Sequence, residues 1–277
     1  MASSRHKTVR LNTGVDHRAR KRFGQNFLHD QGIIDRIIQQ LNPKKENHLL
    51  EVGPGQGALT SRLASVGARL DCIELDRDLA AHLQNEYRQM EHVTIHQRDI
   101  LKTRLKEFAE TNSGEKLRII GNLPYNISTP VLFHLLKEYP LIEDMVFMLQ
   151  LEVVQRMSAS MGGKNYGRLG LMLQYYCKVE HLFNAPSAAF TPRPKVSSAI
   201  VRLTPHEVLP VQAQDAECLQ TVIRTAFNQR RKTLRNSMKT LLGDELLNSL
   251  AVDASLRPEN LSLADFVLIA DALSSQQ

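Results

Sequence analysis

His48-Leu49-Leu50-Glu51-Val52-Gly53-Pro54-Gly55-Gln56-Gly57-Ala58-Leu59 passes from an apolar, strand-like run through three glycines into the start of a helical pattern. Strand, glycine turn and helix in that order open the ligand crevice of a parallel α/β sheet, because glycine lets a ligand approach the backbone closely. The same alternation continues downstream. Leu59 to Val66 reads as a helix, Arg69 to Glu74 as a strand, Arg77 to Tyr87 as a helix and Val93 to Gln97 as a strand. Leu117 to Ile120 and Met145 to Leu149 extend the series, with a helix from about Thr129 to Lys137 between them. Repeated strand, helix, strand units imply a parallel sheet with right-handed crossovers. Upstream, Ile33, Ile34, Ile37, Ile38 and Leu41 mark one face of a helix ending before Pro43. Cys177 to Phe183 and Val196 to Leu203 read as two strands without an intervening helix, an antiparallel pair closing one edge.

The glycine turn admits two cofactor classes. Gly53, Gly55 and Ala58 match G-x-G-x-x-A, and Glu74 follows Gly53 by 21 positions, where a dinucleotide fold places its ribose-binding acid. NAD and S-adenosylmethionine both fit this spacing. Glu51 tilts the choice, since a carboxylate beside the turn repels a pyrophosphate and suits a ligand carrying an ammonium and a sulfonium. Asp99, in Arg98-Asp99-Ile100, adds an acid past the third strand, suited to accept from an adenine amine. Each acid alone reads equally well as a helix or turn cap. Glu51, Glu74, Asp99 and Asn122 at four successive strand ends make that reading poor for the set.

Gly121-Asn122-Leu123-Pro124-Tyr125 follows the fourth strand. The exocyclic nitrogen of adenine is a poor nucleophile, its lone pair being delocalised into the ring. The Asn122 amide oxygen and the Leu123 carbonyl suit its two hydrogens and favour the pyramidal, more nucleophilic nitrogen. Pro124 fixes the turn without an N–H to compete, and Tyr125 is suited to stack on a base taken out of its helix. Taken alone, the tetrapeptide is also an ordinary turn ending in a packed tyrosine.

A chain of 277 residues has room for a full α/β domain and a small second one. The formal charge of +6 is unevenly spread. Residues 224–239 hold Arg224, Arg230, Arg231, Lys232, Arg235 and Lys239 and no acid, and the stretch to Arg22 holds seven Lys or Arg against Asp16 alone. Two such clusters favour phosphate binding over solvated faces. Cys72, Cys177 and Cys218 form no C-x-x-C pair and read as thiols in a reducing compartment. There is no apolar run for a membrane span and no apolar segment for secretion. A transit peptide would have only Val9, Leu11 and Val15 for its apolar face, so the tail reads as a disordered, RNA-touching segment of a cytoplasmic protein. Thr204 to Asp215, with Pro205 and Pro210, reads as a linker. Beyond it the pattern is helical only, ending in Leu261 to Leu273 with Ser262 as N-cap and Asp265 in the first turn. The expected organisation is a basic tail over 1–20, a cofactor domain over 21–204 and a helical domain over 205–277.

Gly24-Gln25-Asn26-Phe27-Leu28, the Glu51 to Gly57 turn, Glu74-Leu75-Asp76, Gly121 to Tyr125 and Phe190-Thr191-Pro192-Arg193-Pro194-Lys195-Val196 closely resemble the ribosomal RNA adenine dimethyltransferases. The resemblance runs from about Arg20 to the C-terminus, is greatest to the bacterial small-subunit members, and keeps the family's motif order. It implies a Rossmann-like class I methyltransferase sheet, mostly parallel with the last strand antiparallel, and a small C-terminal helical domain. It also implies transfer of methyl groups from S-adenosylmethionine to N6 of two adjacent adenosines near the 3′ end of 16S rRNA, within a late 30S precursor. Carried over, Asn26, Leu28, Glu51, Gly53, Gly55, Glu74, Asp99, Ile100 and Asn122 would line the cofactor site. Asn122, Leu123, Pro124 and Tyr125 would hold the target, with Phe190 as second aromatic wall. Arg20, Lys21, Arg22, Lys164, Arg168, Arg224, Arg230, Arg231, Lys232 and Arg235 would contact RNA, largely through phosphates. A monomer acting without metal or membrane is expected. Leu151 stands where relatives commonly carry lysine, which removes an expected RNA contact there. Competing readings are a 23S rRNA resistance methyltransferase, a non-enzymatic assembly or transcription factor of the same fold, and an NAD dehydrogenase, which leaves Asn122 and the basic helix without a task.

Overall fold

The computed structural model describes residues 25–109 and 115–276, together with the backbone of two two-residue strands at Val9–Arg10 and Asp16–His17. The expected basic tail otherwise lies outside the described residues, as do Lys21 and Arg22. The chain divides into two compact units. The first takes the chain up to Leu151 and then Glu180–Pro205; the second takes Glu152–Val179 and the chain from His206 onward.

The first unit is built on a seven-stranded sheet. Its strands are β1 (His48–Val52), β2 (Arg69–Glu74), β3 (Val93–Gln97), β4 (Leu117–Asn122), β5 (Ile142–Gln150), β6 (Cys177–Ala185) and β7 (Ser198–Pro205). The spatial order is β3-β2-β1-β4-β5-β7-β6. The β1–β5 strands pair in parallel, and β7 pairs antiparallel to β5 with Ser198 opposite Gln150. The strand pair expected to close one edge is thus resolved further: β7 lies inside the sheet and β6 at the edge. A pairing between strands distant in sequence carries no local signal.

The first three strands end where the sequence pattern places them because apolar residues alternate up to a glycine or polar residue. Leu49, Leu70, Cys72, Ile95, Ile120, Val146, Met148 and Ile200 share one core with Ile34, Ile37 and Leu41 of α1 (Gln31–Leu41), Leu63 of α2 (Thr60–Ala64) and Leu83 of α3 (Arg77–Glu86). Each such side chain contributes about 1.5–3 kcal/mol by leaving water. A one-residue slip would turn the whole set over, so burial fixes the register. Asp30 caps α1 by accepting from the Ile33 N–H at 3.0 Å, and Asn42 ends it in the left-handed region.

At the starts of the strands, opposite the ligand end, Arg118 forks onto both oxygens of buried Asp144 at 2.8 Å each. Asp71 lies between His48 at 2.7 Å and His96 at 2.6 Å. Burial opposes ionisation of Asp71, but the two imidazole hydrogen bonds outweigh it and hold the carboxyl well below the usual range.

The second unit is helical. It contains most of α4 (Leu151–Met157), α5 (Arg168–Tyr176), α6 (Ala216–Asn228), α7 (Leu234–Met238), α8 (Asp244–Ser249) and α9 (Leu263–Ser274). Ser262 and Asp265 form the reciprocal capping box of α9, with the Ser262 hydroxyl accepting from the Asp265 N–H at 3.1 Å. Residues 152–179 group with these helices, although the sequence expectation assigned them to the sheet domain.

Candidate active site

The parallel strands deliver their carboxyl ends to one cavity of about 270 Å³. Nine expected cofactor residues meet there: Asn26, Leu28, Glu51, Gly53, Gly55, Glu74, Asp99, Ile100 and Asn122. Leu123, Pro124 and Tyr125 line the same space. Two glycines make this convergence possible. A Cβ on Gly121 would collide with the Val52 carbonyl oxygen, so only glycine lets β4 lie close enough to β1 to bring Asn122 beside the turn. Gly55, at φ +59°, presses its α-carbon side against the Phe27 ring, where a Cβ would come within 3.3 Å.

Glu51 is 1% exposed and shares the face of Leu49 and Cys72. Thr60 donates its hydroxyl to Oε2 at 2.7 Å, and the Cys72 thiol lies at 3.7 Å. Burial pushes the Glu51 carboxyl up to about 7 against those two hydrogen bonds. Glu74 accepts from the Gly55 N–H at 3.0 Å and the Asp76 N–H at 2.8 Å, while burial raises its pKa. Asp99 does cap a turn, accepting from the Leu101 N–H through Oδ1 at 3.0 Å, and it also lines the cavity.

The three glycine N–H groups of the turn are already engaged. The Gly53 N–H donates to the Ile73 carbonyl at 2.9 Å, that of Gly55 to Glu74, and that of Gly57 to the Pro54 carbonyl at 2.9 Å. The following helix is only five residues long. A pyrophosphate cradle needs free N–H groups and a helix terminus aimed at the ligand. Here the three glycine N–H groups are already taken, and a buried acid stands beside the turn.

Asn122 donates from Nδ2 to the Asn26 carbonyl at 2.9 Å, which fixes the amide plane and leaves Oδ1 as an acceptor. The Tyr125 hydroxyl lies 2.6 Å from that of buried Ser198, so its ring is anchored to β7. Phe190 departs from expectation. It is 2% exposed, pairs with Leu28 in a two-residue antiparallel ladder, packs in the core and does not line the cavity. An aromatic beside a small-residue loop satisfied burial before exposure. Thr60 and Ser198, which hold Glu51 and Tyr125, were missed because neither lies in a recognisable spacing from its partner.

In the second unit Arg224, Arg231 and Lys232 are exposed and make no ion pair with the described residues; Lys164 and Arg168 are exposed too. Arg230 instead pairs with Glu259 at 2.6 Å and donates to the Lys164 carbonyl at 2.7 Å. Arg235 pairs with Asp244 at 3.0 Å and donates to Asn248 at 2.7 Å.

A seven-stranded sheet in this order, with one antiparallel strand and an acid-lined crevice at its carboxyl ends, defines a Rossmann-like class I methyltransferase. The sequence model described as ribosomal RNA adenine dimethylase matches residues 16–275. The chain belongs to this ribosomal RNA adenine dimethylase family. It is 57% identical to ribosomal RNA small subunit methyltransferase A of Pseudomonas putida, over 96% of this chain and 99% of that one. The protein of the same name from Marinobacter nauticus is 53% identical over 93% and 92% of the two chains. Among solved structures, a dimethyladenosine transferase from Plasmodium falciparum superposes with a TM-score of 0.72 at 26% identity, covering 88% of this chain and 95% of that one. The 23S rRNA methyltransferase ErmE, at 23% identity, covers 90% of this chain and all of its own with a TM-score of 0.66, a likeness of fold.

Proposed function

We propose that the chain dimethylates N6 of two adjacent adenosines near the 3′ end of 16S rRNA, using S-adenosylmethionine and acting as a monomer on a late small-subunit precursor in the cytoplasm. The observation that carries this reading is the fixed Asn122 amide at the end of β4, which lines the cavity beside the glycine turn with its Oδ1 left to accept. The cavity chemistry fits the cofactor: Glu51, Glu74, Asp99 and Asn122 supply acceptors for its ammonium, ribose hydroxyls and adenine amine, and the carboxylate of Glu51 beside the turn repels a pyrophosphate. When bound, S-adenosylmethionine supplies a methyl group on an electrophilic sulfonium.

The chain's own part is orientation and polarisation. The Asn122 Oδ1 accepts one amine hydrogen and the Leu123 carbonyl the other, steering the nitrogen lone pair away from the ring. Pro124 keeps the turn closed, and the anchored Tyr125 ring gives the extruded base a stacking surface. The cationic amine formed on attack is acidic enough to lose its proton to water, so neither a strong base, a metal nor a covalent enzyme intermediate is required. Phe190, buried in the core, is not retained as a second wall. Arg224, Arg231 and Lys232 are the phosphate contacts this reading favours.

The relatives' small-subunit name supports 16S over 23S rRNA as substrate. The test is labelled S-adenosylmethionine with undermethylated 30S particles and, separately, isolated 23S rRNA, followed by nucleoside mass spectrometry. Dimethyladenosine in the 30S arm is expected. Its absence there, under conditions where a relative works, overturns the reading, and labelling of 23S rRNA alone transfers it to the resistance class.

A further inference from the structure

The Phe190 to Val196 motif supplies no wall for a base, since Phe190 is buried in the core and does not line the cavity. The segment from Phe190 to Ser198 nevertheless holds both halves of the target clamp. At its first end Phe190 pairs with Leu28 and Thr191 with Phe27, and the His29 N–H donates to the Ala189 carbonyl at 3.0 Å. That ladder places the preceding residue, Asn26, whose carbonyl accepts from the Asn122 Nδ2 at 2.9 Å. A carbonyl can only accept, so it selects the orientation of the Asn122 amide that leaves Oδ1 for an amine. At the other end buried Ser198 opens β7, and its hydroxyl shares a hydrogen bond of 2.6 Å with that of Tyr125. Tyr125 is half-buried and lines the cavity. A ring held at Cβ and again at its hydroxyl keeps only rotation about the line between them, so its place is set before a base arrives.

We infer that the Phe190 to Ser198 segment is the common frame of the methyl-acceptor clamp, with Phe190 and Ser198 as positioning residues acting through Asn122 and Tyr125. The inference rests on the adenine-methylating reading above and gives this segment a task other than contact with the base. Phe190 acts by burial. Its ring shares the core of Leu49, Ile120 and Ile200 and so anchors a two-residue ladder too short to hold by itself. Ser198 acts by its hydroxyl, and pairing with Gln150 of β5 fixes its own place. The lone pair of an aromatic amine lies along the normal to the base plane. The plane set by Tyr125 and the amine position set by Asn122 must therefore agree, and one segment holding both makes them agree.

The test compares Ser198→Ala, Tyr125→Phe, their double variant and Phe190→Leu with the unmodified full chain. It measures kcat and KM on undermethylated 30S particles and the Kd of S-adenosylmethionine by calorimetry, with melting curves to verify folding. Ser198→Ala is expected to lower kcat by about tenfold, the value of a hydrogen bond left without its partner, and to change the cofactor Kd by less than about twofold. Tyr125→Phe keeps the ring and should lose a similar factor. The double variant should be no worse than either single one, because both remove the same bond. Losses that multiply in the double variant would reduce Ser198 to a packing residue, and unchanged kcat in Ser198→Ala would leave it without a task; either overturns the inference. Phe190→Leu keeps an apolar side chain in the core and removes the ring, so kcat should stay within about threefold. A larger loss in the folded variant would return the ring to the base and overturn the frame; if that variant does not fold, the Ser198 and Tyr125 cycle decides alone. Failure of the unmodified chain to methylate the particles is a separate outcome that overturns the adenine reading and this inference with it.

Discussion

Asn122 and Glu51 line one cavity, and under the proposed function each makes its own prediction. Asn122 would work by orientation, its Nδ2 engaged and its Oδ1 left to accept. Asn122→Ala should lower single-turnover methyl transfer by about 10²–10³-fold, the scale for removing a preorganised polarising group. Particle binding should change by less than about twofold, because RNA affinity resides largely in phosphate contacts; comparable losses in both would remove the assigned role. Glu51 works by charge. The folded chain keeps its proton up to about pH 7, whereas an unfolded glutamate releases it near about pH 4.3. Between those values the folded state binds more protons, so the unliganded chain loses stability as pH rises through that window. A cationic ligand favours the ionised carboxylate. Binding of S-adenosylmethionine should therefore strengthen as pH rises through about 7 and release a proton below it. Calorimetry at pH about 6 and about 8, in buffers of differing ionisation enthalpy, reads that proton directly. Glu51→Gln should flatten the profile, and an unchanged profile in that variant would assign the dependence elsewhere.

At the scale of elements, the site depends on how closely β1 and β4 approach. Gly121→Ala places a methyl against the Val52 carbonyl, and backbone cannot rotate away as a side chain can. The variant should lose about 1–3 kcal/mol of stability by urea titration and, because Asn122 moves with the strand, bind S-adenosylmethionine more weakly as well. A stable variant with normal cofactor affinity would show that the strands tolerate separation. Much of this element layer was legible in the sequence. β1, β2 and β3 end at the expected residues because the strand pattern stops at a glycine or a polar residue, both local signals. The acids at successive strand ends were legible for the same reason, since a parallel sheet brings all its carboxyl ends together. What was not legible is non-local. The placing of β7 between β5 and β6 depends on pairing across nearly fifty residues, the Tyr125 to Ser198 contact on that placing, and the burial of Phe190 on a ladder with Leu28. Residues 152–179 carry two helices of ordinary periodicity, and periodicity says nothing about which unit a helix joins.

Over the whole molecule, stability and chemistry are separated along the strands of the first unit, and the basic stretch proposed to meet RNA belongs to the second. The buried Arg118 to Asp144 pair lies near the strand starts, while Glu51, Glu74 and Asp99 line the cavity at the strand ends. In the second unit, the basic stretch from Arg224 to Arg235 divides again. Sequence makes its arginines look equivalent, but Arg230 and Arg235 have intramolecular carboxylate partners, whereas Arg224, Arg231 and Lys232 are exposed. A phosphate contact and a structural ion pair respond differently to substitution. Replacing Arg231 and Lys232 together with alanine should leave the melting temperature unchanged, weaken binding to 30S particles and reduce the slope of log affinity against log salt by about 1.5, the counterion release of two phosphates. Arg230→Ala should instead lower the melting temperature, since it leaves Glu259 and the Lys164 carbonyl without their donor, with little change in the salt slope. Binding titrations of the folded variants across a range of salt concentrations separate the two cases. If Arg230→Ala flattens the slope and the Arg231 and Lys232 double variant does not, the phosphate-gripping surface includes the paired arginine, and its bond to Glu259 must open when RNA binds.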